Sequence, residues 1–129
     1  MEDEEKQAKF RYGVVNFNKR KYPRFNIDLP IEYCRTDLFV EHGRAANASE
    51  GGLLIYLPEH MDIGNHLRLK LFFSMDSEMN AIETRVEVVW VDLHLGMDWG
   101  EYRTGVRFVQ ISTEDLSTLR NFLRSLSPS

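Results

Sequence analysis

The stretch IETRVEVVW, residues 82–90, alternates apolar or small side chains with charged ones and is the clearest structural signal in the sequence. Its odd-numbered positions up to 87 are charged, whereas its even-numbered positions hold Ile, Thr, Val, Val and Trp. Successive side chains of a β-strand point to opposite faces, so the pattern predicts a strand with one buried and one solvated face. On this period Trp90 is expected in the core, as is Phe108 of a later stretch.

The same alternation recurs elsewhere in the chain. LRLKLFF, residues 67–73, and FNIDLPIEYC, residues 25–34, are both typical of strands with one buried face. Pro30 lacks an N–H group, so the strand that contains it should have an unpaired side or a bulge at that point. Shorter runs that also predict strands are LFVEHGRAA (38–46), GLLIYLP (52–58) and TGVRFVQI (104–111), with turn residues at 58–64, 76–80 and 96–100.

STEDLSTLRNFLRSL, residues 112–126, has the pattern of an amphipathic helix. Ser112 is a candidate N-cap with Asp115 three residues later, and arginines follow near the other end. The apolar stripe, which must cover another surface, consists of Leu116, Leu119, Phe122, Leu123 and Leu126. Six strands and one terminal helix, without strand–helix–strand alternation, predict an all-β fold: a small six-stranded antiparallel barrel capped by the C-terminal helix.

Length and composition fit one soluble domain. The chain has 129 residues, 43% hydrophobic content and a formal net charge of -4, which suffices to bury a core. We expect a flexible charged tail at 1–17, the barrel with its helix at 18–126, and a short tail at 127–129. Cys34 is the only cysteine and the N-terminus lacks a basic segment followed by an apolar run, so a cytoplasmic protein is expected. No window approaches the roughly 18 apolar residues of a membrane span, and the acidic balance argues against general affinity for nucleic acid or anionic membranes.

KRKYPRF, residues 19–25, places four basic side chains together with no acid among them. Pro23 disfavours a helix at this point, so helical spacing does not explain why Arg20 and Arg24 are four residues apart. Guanidinium groups match the oxygens of phosphate and the acceptor atoms of guanine. An arginine pair of this kind is therefore a candidate for binding a phosphorylated nucleotide.

NASEGG, residues 47–52, is the segment expected to face these arginines. Asn47 and Ser49 are two residues apart, which on an extended chain directs both side chains to one side. Gly51 and Gly52 allow a tight turn and a close approach of the backbone to a ligand. The arginine pair and this turn together predict a binding site for a phosphorylated nucleotide.

These two segments resemble the signatures of a known family, the PilZ domains, which are receptors for the bacterial second messenger cyclic di-GMP. The family motifs RxxxR and D/NxSxxG appear here in the same order as RKYPR and NASEGG, ahead of GLLIY, VEVVWV, TGVRFV and a terminal helix. The resemblance covers residues 18–126. It implies a six-stranded antiparallel barrel with a C-terminal helix, and a ligand held between the RxxxR segment and the barrel surface. The residues to which it assigns ligand binding are Arg20, Arg24, Asn47, Ser49 and Gly52, and Lys19 is added to them because of its positive charge.

The resemblance also implies a function and a mechanism. The protein is expected to be a cyclic di-GMP-binding receptor or adaptor that changes its surface on binding and so regulates a protein partner in motility, surface attachment or exopolysaccharide output. The two phosphates of the ligand are expected to neutralise the arginines and fold residues 18–24 over the barrel. Asn47 replaces the Asp of many members, which bears on affinity rather than on ligand identity. Because a self-stacked ligand dimer needs additional positive charge, Lys19 beside Arg20 predicts two ligands per chain.

Two other functions remain open at this point. One is a PilZ-like barrel that binds no nucleotide and acts only through protein contacts, and the other is a small oligonucleotide-binding barrel, which the net acidity argues against. No enzyme is expected, since the sequence has neither a G-x-S-x-G elbow nor a phosphate-binding loop that ends in Lys-Ser or Lys-Thr. The four histidines show no metal-ligand spacing, so neither a metal nor a cofactor is expected.

Overall fold

The computed structural model describes residues 22–35, 39–93 and 102–126. Within them the chain forms six strands and one helix, in the order that the sequence predicts. The elements are β1 (Phe25–Cys34), β2 (Glu41–Ala48), β3 (Gly52–Leu57), β4 (His66–Met75), β5 (Glu78–Leu93), β6 (Tyr102–Ile111) and α1 (Thr113–Arg124). The features predicted from sequence that lie outside the described residues are the tails 1–17 and 127–129, the turn at 96–100, Lys19 and Arg20.

The six strands form a closed barrel in the order β1-β2-β3-β6-β5-β4, and all neighbouring pairs are antiparallel. A long ladder joins β4 to β5 through a tight turn, in which Asp76 and Ser77 have φ of 55° and 65°. Positive φ at both central residues is characteristic of a type I′ turn, whose twist matches that of the flanking strands. The predicted six-stranded antiparallel barrel with a C-terminal helix is therefore confirmed.

Alternate side chains of the strands fill the barrel. On β4, Leu67, Leu69 and Leu71 are buried, whereas Arg68 and Lys70 between them are partly or fully exposed. The first half of β5 alternates in the same way. Burial of these apolar side chains is the main source of the stability of such a barrel.

The helix α1 covers one end of the barrel. Oγ of Ser112 caps the helix by accepting a hydrogen bond from the backbone N–H of Asp115 at 3.0 Å, as the sequence predicts. The buried residues of its apolar stripe are Leu119, Phe122 and Leu123. The ring centroid of Phe122 lies 4.3 Å from that of Phe73 on β4, and Phe108, also expected inside, is partly buried against the core. No helix in the described ranges is both long enough and apolar enough to cross a membrane.

Pro30 is accommodated where one of the ladders begins. β1 pairs with β4 only from Ile31 onward, so the missing N–H of Pro30 lies just outside that ladder. On its other side Pro30 remains in register with Arg44 of β2, after a register shift between Asn26 and Leu29. This is the unpaired side expected of a strand that contains proline.

Trp90 does not lie in the core, so the prediction from its period is wrong. The register of β5 on β6 shifts between Val88 and Trp90, which pair with Val106 and Gly105, and Val89 is therefore one extra residue on β5. A β-bulge of this kind shifts the two-residue period by one position and moves the next side chain to the opposite face. Val89 and Trp90 are each 40% exposed, whereas Val88 is fully buried.

Candidate ligand-binding site

A groove of about 210 Å³ lies on the barrel where β3, β6 and β5 run side by side. It brings together four of the residues predicted to bind ligand, namely Arg24, Asn47, Ser49 and Gly52. The other residues that line it are Gly51, Leu53, Leu54, Val89, Trp90, Gly105 and Val106. Arg24 of the first sequence segment and the turn of the second are thus adjacent in the fold, at one groove. In the described part of the chain, no group of three metal-ligating side chains is present at this groove or elsewhere.

The turn at residues 49–52 is fixed by hydrogen bonds. The N–H of Ser49 donates to the carbonyl of Gly52 at 3.0 Å, and Oγ of Ser49 accepts from the N–H of Gly51 at 3.1 Å. The carbonyl of Gly51 in turn accepts from the N–H of Phe108 on β6 at 3.0 Å. Because the Ser49 hydroxyl acts here as an acceptor, its proton remains available for donation to a ligand.

Gly52 lies so close to β6 that no side chain fits. A methyl group at this position would lie 2.1 Å from the carbonyl oxygen of Val106, well inside van der Waals contact. The β3–β6 ladder begins here, with Gly52 in register with Arg107. Gly52 therefore has a packing role, because it lets the turn close against β6, in addition to its predicted place at the ligand.

Asn47 is turned toward the groove by a bulge in β2. The register of β2 on β3 shifts between Ala45 and Asn47, so Ala46 is the extra residue. Ala45 and Ala48 are both fully buried, whereas the two residues between them are partly exposed. The side-chain amide of Asn47 makes no hydrogen bond to the other described residues, so its donor and its acceptor are both available to a ligand.

The segment that enters β1 lies against this turn. The ring of Tyr22 packs on Gly51, where a methyl group would lie 3.2 Å from Cδ2 of the tyrosine. Arg24 is exposed and lines the groove. Its guanidinium carries a permanent positive charge and five N–H donors, which suit it to phosphate. Arg20 and Lys19, its predicted partners in ligand binding, lie outside the described residues, and their role stays a prediction.

Trp90 forms an aromatic wall of the groove that the sequence analysis missed. Its indole lies directly over Gly105, where a methyl group would lie 2.1 Å from Nε1. The partly exposed ring offers a flat surface of the kind on which nucleobases stack. One signal could have revealed it. The four consecutive apolar residues at 88–91 break the alternation of β5 and are consistent with a bulge.

Arg103 on β6 positions this aromatic wall. Its guanidinium carbon lies 6.0 Å from the centroid of the Trp90 ring, within the range of a cation–π contact. Nη2 of Arg103 donates to Oδ2 of Asp92 at 2.7 Å. This hydrogen bond raises the pKa of Arg103 above its ordinary value. Arg103 is therefore a charged group held by Asp92 beside the indole.

Glu50 is the one acid of the turn at residues 49–52, and its charge would repel an anionic ligand. Nε of Arg120 on α1 donates to Oε1 of Glu50 at 2.6 Å. The carboxylate is not among the groups that line the groove. The ion pair thus offsets the negative charge of the turn and connects the turn to α1.

Comparison with known proteins identifies the family. A family model described as the PilZ domain matches residues 18–125 of this chain. The chain belongs to the PilZ domain family. No curated protein sequence matches it. The family identified from the two sequence segments is therefore confirmed.

Solved structures share the fold of this PilZ domain. The Bacillus subtilis inhibitor of motility MotI/DgrA has a TM-score of 0.72 and 19% sequence identity, over 84% of this chain and 51% of that one. The PilZ domain with c-di-GMP of YcgR from Escherichia coli has a TM-score of 0.67 and 15% identity, over 84% and 91% of the two chains. The MrkH-c-di-GMP complex of K. pneumonia has a TM-score of 0.63 and 15% identity, over 87% and 52%. This PilZ domain thus spans about half the length of the MotI/DgrA and MrkH chains.

Proposed function

We propose that this PilZ domain is a receptor for cyclic di-GMP that acts as an adaptor and not as an enzyme. The observation that carries the proposal is the convergence of Arg24, Asn47 and Ser49 at one groove, beside the exposed ring of Trp90. A guanidinium for phosphate, an amide and a hydroxyl for the polar edges of a base, and an aromatic plane for stacking together suit a guanine nucleotide. Two structures of similar fold, those of YcgR and MrkH, are complexes with c-di-GMP.

The size of the groove supports a role for the RxxxR segment as its cover. The groove measures about 210 Å³, which is below the range of about 300–1,000 Å³ typical of small-molecule sites. A dinucleotide would therefore extend beyond the described walls. We assign the remaining contacts to Arg20 and Lys19, which precede the packed Tyr22 by two and three residues.

The proposed output is a changed surface that a partner recognises. Bound ligand neutralises the positive charge of residues 18–24 and places two phosphates and two bases per molecule on the barrel, so that a partner distinguishes the liganded form from the empty one. We place this partner in the control of motility, surface attachment or exopolysaccharide output, in the cytoplasm. The motility assignment is supported by the similarity in fold to MotI/DgrA, an inhibitor of motility.

Calorimetric titration of the full chain with cyclic di-GMP tests the receptor function. GTP and linear diguanylate serve as controls, because they carry guanine and phosphate without the cyclic arrangement. We expect saturable binding of cyclic di-GMP alone. Absence of binding heat at about 100 μM ligand would contradict the proposal and would favour a barrel that acts only through protein contacts.

A further inference from the structure

Gly105 is the residue of β6 on which the indole of Trp90 lies. A methyl group at this position would lie 2.1 Å from Nε1, 2.4 Å from Cε2 and 2.7 Å from Cδ1 of that ring. These are three contiguous atoms of the five-membered ring at similar distances, so the indole meets β6 with its face and not with its edge. The strand therefore covers one face of the ring, and a base can stack only on the other.

The backbone of Gly105 does not itself require glycine. Among the glycines of the described ranges, only Gly64 has a positive φ. Glycine in the interior of a strand weakens a sheet, so its presence at this position needs another reason. The three atoms nearest to an added methyl group all belong to the side chain of Trp90, whereas at Gly52 they belong to the main chain of β6. The space that Gly105 leaves open is therefore the space that the indole fills.

The bulge in β5 and the glycine in β6 fit each other. Trp90 is in register with Gly105 because Val89 is an extra residue on β5. Without this extra residue, Trp90 would be opposite Thr104, whose side chain is fully buried. The bulge thus turns the indole outward, and Gly105 provides the flat surface on which it lies.

Arg103 holds the same ring from one side. It precedes Gly105 by two residues on β6, so both lie on the outer face of the strand. Its guanidinium carbon is 6.0 Å from the centroid of the Trp90 ring, and its hydrogen bond to Asp92 fixes the guanidinium there. Arg103 is not among the residues that line the groove. Any effect of Arg103 on a ligand must therefore act through the indole or through its charge at a distance.

We propose that Gly105 and Arg103 are positioning residues of the nucleotide site, which hold the indole of Trp90 flat on the barrel with one face open to a single base. The inference rests on the proposed function, because it concerns how that site binds a base. The stacking surface is then formed before the ligand arrives, so no binding free energy is lost in ordering it. A ring that could turn freely would bind the same base more weakly.

Tryptophan fluorescence of the ligand-free full chain tests the position of the ring. Trp99 is replaced by Phe in every variant, so that the emission comes from Trp90 alone. Gly105→Ala should displace the indole, because the added methyl group and the ring cannot occupy the same space. Quenching of Trp90 by acrylamide should then increase. Unchanged quenching in a folded Gly105→Ala variant would overturn the role of Gly105.

Calorimetric titration with cyclic di-GMP tests the effect on binding. Gly105→Ala should weaken binding about fivefold or more, because the stacking surface is displaced. Arg103→Gln should weaken it about twofold to fivefold through the lost cation–π contact, and Arg103→Lys should retain part of the affinity. In a Trp90→Ala background, Gly105→Ala and Arg103→Gln should each change affinity less than about twofold, because the ring through which they act is absent. Arg85→Gln, which changes an exposed arginine of β5 outside the groove, is the control.

The cycle with Trp90→Ala separates positioning from a purely structural role. An aromatic ring over a cross-strand glycine also stabilises a sheet, so a lower melting temperature alone supports neither role. An equal loss of affinity with and without the indole would overturn the proposal, because the residues would then act through the strands or through charge. Parent-like affinity of both variants would also overturn it and would leave the receptor function intact. If Gly105→Ala does not fold, the Arg103→Gln cycle decides. Absence of binding by the parent would instead contradict the proposed function.

Discussion

Nε of Arg120 lies 2.6 Å from Oε1 of Glu50, so that one ion pair joins α1 to the turn beside the candidate ligand-binding groove. The two side chains are 44% and 31% exposed. Solvent therefore screens the pair, and we expect it to contribute less than about 1 kcal/mol to folding stability. The pair matters more for ligand binding than for folding stability, because it neutralises a carboxylate next to a proposed phosphate site.

Arg120→Ala should weaken cyclic di-GMP binding about twofold to fivefold, because the carboxylate of Glu50 would then repel the phosphates. The double variant Glu50→Gln/Arg120→Ala should recover most of the lost affinity. Calorimetric titration of the parent, of Arg120→Ala, of Glu50→Gln and of the double variant gives a complete double-mutant cycle. If Arg120→Ala reduced affinity equally with and without the Glu50 carboxylate, the effect would come from α1 packing and not from this pair.

Arg20→Ala and Arg24→Ala should each weaken cyclic di-GMP binding at least tenfold. The physical reason is the loss of a hydrogen bond to a charged group, which contributes about 1.5 to 3 kcal/mol. The melting temperature should change little, because Arg24 is exposed and lies outside the core. Arg44→Ala, on the outer face of β2 and outside the groove, is the matched control. If either variant bound cyclic di-GMP like the parent, that arginine would not contribute to ligand binding.

Trp90 should report ligand binding by its fluorescence. The other tryptophan, Trp99, is first replaced by Phe so that the signal comes from Trp90 alone. A stacked guanine should quench this emission, and Trp90→Ala should weaken binding by about 1 to 3 kcal/mol, the range for base stacking on an aromatic side chain. Trp90→Phe should retain part of the affinity. An unchanged emission at saturation would place the base elsewhere.

The number of ligands per chain is a separate prediction. Lys19 beside Arg20 adds positive charge for the second molecule of a stacked ligand dimer, so we expect a titration endpoint near two cyclic di-GMP per chain. Lys19→Ala should lower this endpoint toward one. An endpoint near one in the parent, unchanged in the variant, would show that a single molecule binds and would leave the receptor function intact.

Tyr33 should make the fold sensitive to alkaline pH. Its buried hydroxyl donates to Oε2 of Glu59 at 2.9 Å, and burial followed by this hydrogen bond raises the pKa of Tyr33 well above its ordinary value of 10.0. Above a pH of about 10 the unfolded chain therefore loses a proton that the folded chain retains, and the free energy of unfolding falls as pH rises. Below that pH the contribution of the protonated Tyr33 hydroxyl to the free energy of unfolding is fully present.

Urea unfolding between about pH 9 and pH 11 measures this dependence. The free energy of unfolding of Tyr33→Phe should fall less steeply with pH than that of the parent, by up to about 1.4 kcal/mol for each pH unit. Tyr102→Phe, which removes a partly exposed hydroxyl, is the control. Equal slopes in the parent and in Tyr33→Phe would mean that another group governs the alkaline transition.

The strands and the helix could be predicted from local sequence because their buried faces repeat at a fixed period. The leucines of β4 and the cap formed by Ser112 follow directly from such patterns. Trp90 could not be placed in this way, because a single extra residue, Val89, moves the side chains that follow it to the opposite faces of the sheet. A bulge depends on how two strands pair, which the sequence of one strand does not specify.

The candidate site was predictable only in part for the same reason. Arg24, Asn47, Ser49 and Gly52 belong to two short motifs and could be proposed together from their sequence. The pair of Glu50 with Arg120 joins residues 70 positions apart, and no local pattern relates them. The contact of Arg103 with the ring of Trp90 likewise depends on the register of β5 on β6, which the sequence of neither strand specifies.

The closed ring of strands also bears on how the binding specificity of such a barrel could evolve. Each of the six strands has a neighbour on both sides, but β4 does not pair with Phe25–Pro30 of β1, so the main-chain edge to which a foreign strand could add is confined to such short stretches. Most recognition is then carried by outward side chains and by any ligand bound to them. Since those side chains alternate with the ones that hold the core, they are open to mutation without loss of the scaffold. Surface substitution alone could therefore change what such a domain binds, while the barrel itself is inherited unchanged.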